Sequence, residues 1–142
     1  MTLTEAQSRF DAYARAFAAN DVERIADMWS FPCLISQQTG DFLFRDRASF
    51  VKNTTGLQGF YDRQGVNAAG ARVDAVRTPH PGITEVDVHY TLGKSPAEPI
   101  VDWQTTYVLR QDADGQWRAR FAIADGEVTA WAARGTPMRA KN

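Results

Sequence analysis

Apolar residues near the start of the chain recur with the spacing of one helix face. A stripe at positions i, i+3, i+4 and i+7 is formed by Phe10, Tyr13, Ala14 and Phe17. This spacing predicts an amphipathic helix. Thr2, followed three residues later by Glu5, has the pattern of a capping box and predicts where the helix begins.

A shorter second helix is predicted to start at Asn20, because Glu23 follows it with the same capping spacing. Its apolar side chains are Val22, Ile25 and Trp29. Pro32 ends the helical pattern because its ring disfavours the helical conformation of the preceding residue. Residues 33–38 are then predicted to form a strand, and residues 42–44 a return strand after a tight turn.

A third helix is predicted to follow Asp46, whose side chain is a preferred N-cap. Its inward side chains are Phe50, Val51, Thr54, Leu57, Phe60 and Tyr61. Gly56 and Gly59 each weaken such a helix by about 1 kcal/mol relative to alanine. Tertiary packing must therefore stabilise this helix, and Gly65 is a suitable C-terminal stop.

After Gly65 the pattern changes from helical spacing to the alternation of β-strands. One long or bulged strand is predicted over residues 66–78, followed by a proline-rich turn. Three further strands are predicted over residues 84–92, 101–109 and 117–123. The side chains predicted to face inward from the last strand are Trp117, Ala119, Phe121 and Ile123.

The end of the chain, residues 126–142, loses this periodicity and is predicted to be a loosely ordered C-terminal tail. Helices followed by a run of strands are typical of the α+β class. No internal repeat or linker is visible between residues 1 and 142, so we expect a single domain.

The composition narrows the classes of function. Hydrophobic residues make up 44% of the chain and charged residues 23%, which is close to the average of globular proteins. With a formal net charge of −1, the chain has no excess of positive charge to bind phosphates, so we expect no nucleic-acid partner. We expect no membrane span and no signal peptide, and hence a cytoplasmic protein. One cysteine and two widely spaced histidines predict neither a disulfide nor a metal site, and no cofactor is expected.

The chain resembles the NTF2-like superfamily, which includes SnoaL-like cyclases, ketosteroid isomerases and scytalone dehydratase. The residues that carry the resemblance are the opening helix at 13–17, the segment 20–29 and the hairpin 108–118. The order of elements matches over residues 4–125. The resemblance implies a cone, in which three N-terminal helices pack on a strongly curved mixed or antiparallel sheet. It does not specify a function, because this fold carries enzymes, binding proteins and dimerisation modules.

The ketosteroid isomerases within this superfamily use an aspartate base opposite a tyrosine and a protonated aspartic acid. The resemblance implies that Tyr13 occupies about the position of that tyrosine. The base would fall near residues 35–37, where this chain has no carboxylate. We therefore do not expect isomerisation by the same set of residues.

A curved sheet over helices can leave a cavity between the two layers. The side chains expected to face it are Tyr13, Phe17, Trp29, Cys33, Phe50, Tyr61, Tyr90, Trp103, Thr105, Tyr107 and Phe121. Aromatic residues at such spacings usually form a filled core. Buried hydroxyl and indole groups need hydrogen-bond partners, however, and a cavity that holds a ligand would supply them. Both interpretations remain open at this point.

The alternation in the two central strands also decides where His89 points. Aligning their apolar faces places Tyr90 opposite Trp103 and His89 beside Gln104, on the face of the sheet away from the helices. A β-bulge would shift this register and turn His89 inward. The candidate catalytic residues are Tyr13, His89 and Asp102, the last two as bases only if such a shift occurs.

Two hypotheses follow. In the first, the protein binds a small apolar or aromatic molecule, and any catalysis is that of a cofactor-independent isomerase, cyclase or dehydratase. In the second, it is a non-catalytic dimerisation or binding module whose outer sheet face forms the interface. The polar side chains of that face are Asp87, His89, Thr91, Asp102, Gln104, Thr106, Arg118 and Arg120.

Overall fold

Four helices and one six-stranded sheet make up the computed structural model of the protein, which describes residues 1–138. The helices are α1 (Leu3–Ala18), α2 (Val22–Ala26), α3 (Arg47–Arg63) and α4 (Asp125–Ala133). The strands are β1 (Trp29–Gln37), β2 (Gly40–Phe44), β3 (Ala68–His80), β4 (Ile83–Ser95), β5 (Glu98–Gln111) and β6 (Trp117–Ile123). No helix among the described residues is long and apolar enough to cross a bilayer.

The strand order in the sheet is β2-β1-β6-β5-β4-β3. All neighbouring strands are antiparallel except β1 and β6, which are parallel. The sheet is therefore mixed, and the predicted α+β class is confirmed. In β4 and β5, Tyr90 pairs with Trp103 and His89 with Gln104, which confirms the register predicted from their alternation.

Helix α1 lies along the edge strand β3, where Gln7 connects the two. The side-chain amide of Gln7 donates to the carbonyl oxygen of Ala71 at 2.9 Å. Its side-chain carbonyl accepts from the backbone nitrogen of Val73 at 2.8 Å. These two bonds satisfy backbone groups of an edge strand, and they fix the helix face that carries Tyr13.

Local capping signals place two of the helix starts correctly. The hydroxyl of Thr2 accepts from the backbone nitrogen of Glu5 at 3.1 Å, and Asp46 accepts from that of Ser49 at 2.9 Å. The predicted start of α2 at Asn20 is wrong by one residue. Asp21 caps this helix instead, while Asn20 takes a left-handed conformation with φ of 57°, which asparagine tolerates better than most residues.

Trp29 belongs to a strand, so its predicted place in the second helix is wrong. Helix α2 ends at Ala26, and β1 begins at Trp29, four residues before the predicted strand. Trp29 pairs with Ala119 of β6, which is distant in sequence. Pairing of this kind overrides the local helical pattern because strand formation depends on cross-strand neighbours.

Strand β6 contains a register shift that the alternation does not reveal. Val108 pairs with Phe121, whereas Leu109 pairs with Ala119, so an extra residue interrupts the ladder. Beyond this bulge Ala122 faces the helices. Phe121 therefore lies on the outer face, meaning the face of the sheet away from the helices, and Ile123 is 45% exposed there. The prediction that these two residues face inward is wrong.

The predicted loose tail contains most of helix α4, which corrects the expectation for residues 126–133. Its Trp131 is completely buried and lies 5.0 Å from Phe60 and 6.1 Å from Tyr61, between ring centroids. Short helices gain most of their stability from such packing rather than from propensity. The final part of the predicted tail, residues 139–142, lies outside the described residues.

Candidate functional site

A cavity of about 810 Å³ lies between the helices and the inner face of the sheet. This volume is within the range of about 300–1,000 Å³ that is usual for small-molecule sites. Its walls come from α1, α3 and α4 on one side and from the sheet on the other. The aromatic side chains that line it are Tyr13, Phe17, Trp29, Phe42, Phe44, Phe60, Tyr61, Tyr90, Trp103 and Tyr107.

Eight of the residues expected at a cavity line this one. They are Tyr13, Phe17, Trp29, Tyr61, Tyr90, Trp103, Thr105 and Tyr107. The other three do not belong to its wall. Phe50 packs behind it against Trp29 and Phe44, with ring centroids 5.4 Å apart in both pairs. Cys33 is buried in the core and Phe121 lies on the outer face.

The polar tips of the aromatic residues are partly satisfied by one another. The indole nitrogen of Trp29 donates to the hydroxyl of Tyr13 at 3.0 Å. The hydroxyls of Tyr90 and Tyr107 lie 2.8 Å apart, so one donates to the other. Among the described residues, the Tyr13 proton and one proton of the Tyr90–Tyr107 pair have no acceptor. The cavity therefore offers two hydroxyl donors to a ligand.

The carboxyl group inside the cavity belongs to Glu127, which the sequence analysis did not single out. The hydroxyl of Tyr61 donates to Oε2 of Glu127, and so does the indole nitrogen of Trp131 at 3.3 Å. Within residues 1–138, Oε1 receives no hydrogen bond. Glu127 is 8% exposed and lines the cavity. One oxygen is thus held by two donors and the other remains free.

Burial raises the pKa of Glu127 from 4.5 to about 7, although the hydrogen bonds from Tyr61 and Trp131 act in the opposite direction. Desolvation exceeds the hydrogen bonds because the aromatic surroundings offer little solvation to a negative charge. The carboxyl group is therefore present in both protonation states near neutral pH. A general acid or base works best with such a pKa.

The four cavity tyrosines stay protonated. Burial raises the pKa of Tyr13, Tyr61, Tyr90 and Tyr107, and the negative charge of Glu127 raises each of them further. All five groups line the same cavity, where charges are poorly solvated and act on one another over several ångströms. The phenols act as hydrogen-bond donors there and not as bases.

His89 and Asp102 lie outside this space. Nε2 of His89 is 3.0 Å from Oδ1 of Asp102 on the outer face, where the Asp102 side chain is 63% exposed. The shift that would turn His89 inward does not occur, because its pairing with Gln104 is regular. Because that register shift is absent, His89 and Asp102 do not act as bases in the cavity.

Cys33 also lacks the environment of a nucleophile. Burial raises the pKa of its thiol to about 12, so the thiolate is scarce at neutral pH. Within residues 1–138, no three His, Cys, Asp or Glu side chains form a group that could hold a metal ion.

The sequence around Glu127 contains a weak indication that this residue is buried. Glu127 precedes Trp131 by four residues, with Val128 and Ala130 between them. Residues four apart are neighbours on a helix, so in a helix Glu127 would lie beside Trp131. The pattern spans only nine residues, which is too short for a helix prediction from periodicity.

Solved structures of other proteins share this architecture. Aln2 from a Streptomyces species superposes with a TM-score of 0.69 at 12% identity, covering 93% of each chain. A ketosteroid isomerase-like protein from Erwinia carotovora atroseptica gives a TM-score of 0.65 at 13% identity, covering 87% of this chain and 95% of its own. A Catenulispora acidiphila protein in complex with S-DNPA gives 0.65 at 15% identity, covering 87% and 92%.

These identities establish likeness of fold alone. No curated protein shows a significant sequence match to the chain. The family described as NTF2-like protein (DUF6841) matches residues 4–127, which include every strand and the start of α4. The cavity, the mixed sheet and this match agree, and the chain belongs to the NTF2-like proteins of that family.

Proposed function

We propose that the cavity binds a small, mainly apolar or aromatic molecule and that Glu127 transfers protons to and from it. The observation that carries this proposal is a carboxyl group with a pKa of about 7 in a cavity lined by aromatic residues. Burying such a carboxyl group costs free energy of folding, since desolvation disfavours its charged form. Perturbed pKa values in clefts are typical of functional sites.

The two unused hydroxyl donors complement this carboxyl group. Oε1 of Glu127 would take a proton from carbon or oxygen of the ligand and return it at a second position. Tyr13, together with the Tyr90–Tyr107 pair, would donate hydrogen bonds to an oxygen on which negative charge develops. Proton removal and return suffice for an isomerase, a cyclase or a dehydratase, and these steps need no cofactor.

Two of the solved structures support this class of function by analogy. The protein from Catenulispora acidiphila holds the small molecule S-DNPA, and the one from Erwinia is ketosteroid isomerase-like. The base proposed here differs from the sequence-based candidates His89 and Asp102, which were to act only if a register shift turned them inward; Glu127 takes that role instead. Tyr13 remains a proposed donor.

Native mass spectrometry of protein purified gently from its expression host tests whether the cavity is occupied. We expect an added mass of a few hundred daltons per chain. Gly56 lines the cavity, so Gly56→Leu should fill part of it and lose this mass while gaining helix propensity. A protein that carries no added mass and also fails to bind N-phenyl-1-naphthylamine, a neutral aromatic probe, would contradict the proposal.

The released compound then serves as the substrate for a turnover assay. We expect Glu127→Gln to abolish turnover and to leave binding nearly intact, because glutamine keeps an acceptor for Tyr61 but cannot exchange a proton near neutral pH. Tyr13→Phe should reduce turnover by about a hundredfold or more, as expected for one lost oxyanion donor. Full activity of Glu127→Gln would exclude Glu127 as the base.

A second candidate function, homodimerisation through the outer face, is favoured by an apolar row on that face. The row crosses four adjacent strands by direct pairing and consists of Leu43, Leu34, Phe121 and Val108. Leu43 is 55% exposed. Ion pairs lie next to the row, including Arg77 with Asp87 at 2.8 Å. An apolar strip with a charged border suits a contact between two copies.

Light scattering tests this second candidate. We expect a dimer at tens of micromolar protein and a monomer after Leu43→Lys, because a charge in the row would be desolvated in the contact. Leu3→Lys is the matched control, since Leu3 is 57% exposed at the start of α1 and should leave the dimer intact. A monomeric wild-type protein would contradict the proposal.

A further inference from the structure

Among residues 1–138, only two of the side chains that line the cavity carry a formal charge, Glu127 and Arg63. Glu127 is buried with Tyr61 and Trp131, whereas Arg63 is exposed at the end of α3. The cavity thus has a buried carboxyl group and, on the part of its wall exposed to solvent, a cation; we take this exposed part as its opening. A ligand in the cavity would therefore have the carboxyl group of Glu127 at one end and the guanidinium group of Arg63 at the other.

Arg63 has no carboxylate partner among the described residues. None of the ion pairs or side-chain hydrogen bonds within residues 1–138 includes Arg63. An arginine with no partner keeps five N–H donors available, in a planar arrangement that matches a carboxylate or a sulfonate. Arg47, Arg77 and Arg118 by contrast bind carboxylates. Arg15, Arg45 and Arg110 are exposed and without an ion pair among the described residues, but unlike Arg63 they do not line the cavity.

Gly59 lies beneath the Arg63 side chain on the surface of α3. Nη1 of Arg63 lies 3.5 Å from the position that a Cβ atom of Gly59 would occupy, so the guanidinium group folds back along α3. Gly56, one turn earlier, is itself part of the cavity wall. Each glycine costs the helix about 1 kcal/mol relative to alanine. Gly56 has no side chain to project into the cavity, and Gly59 leaves room for the Arg63 side chain.

Neutral polar groups surround the same opening. Asn53 of α3, Gln64 just after α3, Gln37 at the end of β1 and Thr39 in the β1–β2 turn line the cavity, and all four are partly or fully exposed. Within the described part of the chain, the opening therefore has one cation and several amide or hydroxyl groups but no lining carboxylate. These groups favour a polar, negatively charged part of a ligand.

We infer that the ligand is a monoanion with an aromatic or apolar body and one carboxylate-like or sulfonate-like group. The anionic group binds Arg63 at the opening, and the body extends between Tyr90, Trp103 and Tyr107. The opposite orientation would bring the anion next to Glu127, where like charges in a poorly solvated space repel each other. This inference rests on the proposed function, because it takes for granted that the cavity binds a small molecule.

Two fluorescent probes that share one aromatic skeleton distinguish the contribution of the anionic group to binding from that of the apolar body. They are 1-anilinonaphthalene-8-sulfonate, which is an anion, and N-phenyl-1-naphthylamine, which lacks the sulfonate. We expect Arg63→Gln to raise the Kd of the anionic probe by about tenfold, as for the loss of a charge-assisted hydrogen-bond pair. The Kd of the neutral probe should change by less than about twofold.

Arg110→Gln is the matched control, because Arg110 is exposed on β5 and does not line the cavity. It removes the same charge and should leave both Kd values unchanged. Gly56→Leu should weaken binding of both probes and so verify that they bind in the cavity. Added salt should weaken binding of the anionic probe to the wild-type protein and not to Arg63→Gln.

The possible results are distinguishable. If the neutral probe binds and Arg63→Gln affects both probes equally or neither, the cavity binds ligands but the inferred anion site is wrong. An equal loss in Arg63→Gln and Arg110→Gln would indicate a general charge effect and would also overturn the inference. If neither probe binds the wild-type protein and the purified protein carries no added mass, the proposed function fails together with this inference.

Discussion

The hydroxyl of Tyr61 donates a hydrogen bond to the carboxyl group of Glu127, and this bond joins α3 to α4 across 66 positions of sequence. It holds one carboxyl oxygen in place within the cavity. Because α4 supplies the carboxyl group and α3 supplies the donor, the chemistry of the site depends on how these two helices pack. Substitutions in either helix should therefore change both the stability of the protein and the pKa of Glu127.

Stability should vary with pH through Glu127. Its pKa is about 7 in the folded protein and 4.5 ordinarily, so the folded state holds this proton more tightly than the unfolded state. The resulting stabilisation is complete below pH 4.5 and is lost as the pH rises towards 7. The loss should amount to about 3 kcal/mol. Urea unfolding of the wild type and Glu127→Gln at several pH values measures it.

The difference between the two proteins is the quantity to examine, because other carboxylates also titrate. Asp87, for example, has a pKa lowered by Arg77 and loses stabilisation as the pH falls. These contributions are shared and cancel in the difference. A difference that stays constant between pH 4.5 and pH 7 would show that Glu127 does not have a raised pKa.

Tyr61→Phe should raise the pKa of Glu127 further. The hydroxyl of Tyr61 stabilises the ionised carboxylate, and its removal leaves burial opposed by Trp131 alone. The pH titration of the Glu127 carboxyl carbon, followed by NMR, measures the shift. Tyr90→Phe is the matched control because its hydroxyl contacts Tyr107 and not Glu127. A lowered midpoint in Tyr61→Phe would contradict this assignment.

Gly126→Ala should destabilise the protein by about 1–3 kcal/mol, the usual cost of overpacking. A Cβ atom at this position would lie 2.7 Å from the carbonyl oxygen of Gln104, so α4 would have to move away from β5. Since Glu127 is the next residue, its pKa should fall towards the ordinary value as water enters.

Gly70→Ala is the control for that substitution. No atom lies within 4 Å of its Cβ position, and its backbone does not need a positive φ. We expect a change in stability within about 0.5 kcal/mol, as for most exposed sites. Equal effects of the two glycine substitutions would show that the close approach of α4 to β5 is unimportant.

Trp131→Ala should cost about 3–5 kcal/mol, because a fully buried indole leaves a large void. Trp131→Phe should cost less and still raise the pKa of Glu127, since it keeps most of the packing but removes the indole donor. Thermal unfolding and the NMR titration separate the two effects. If Trp131→Ala unfolds at the wild-type temperature, α4 does not contribute to the core.

Much of the fold could be predicted from local patterns. The hydroxyl of Thr2 and the carboxylate of Asp46 cap their helices with groups three residues away, so the necessary information is contiguous. The strict alternation through β4 correctly placed Tyr90 towards the helices and His89 on the outer face. The period of a strand is two, and one buried face therefore determines the register.

The candidate site was predictable only in part. Aromatic residues of regular elements, such as Tyr13 and Trp103, were placed by periodicity and do line the cavity. Phe121 was placed wrongly because a bulge changes which face the rest of β6 presents, and no residue type marks this bulge. Glu127 was missed because its helix is too short to show a period.

The sequence by itself determined the class of fold, most of the elements and most of the aromatic residues facing inward, because periodicity and capping act between near neighbours. Tertiary structure alone decided that α4 forms, that Trp29 joins a strand and that the carboxyl group of Glu127 lines the cavity. Each of these depends on partners far away in the chain, such as Tyr61 for Glu127 and Ala119 for Trp29. The burial that raises the pKa of Glu127 comes from those partners, so it exists only in the assembled fold.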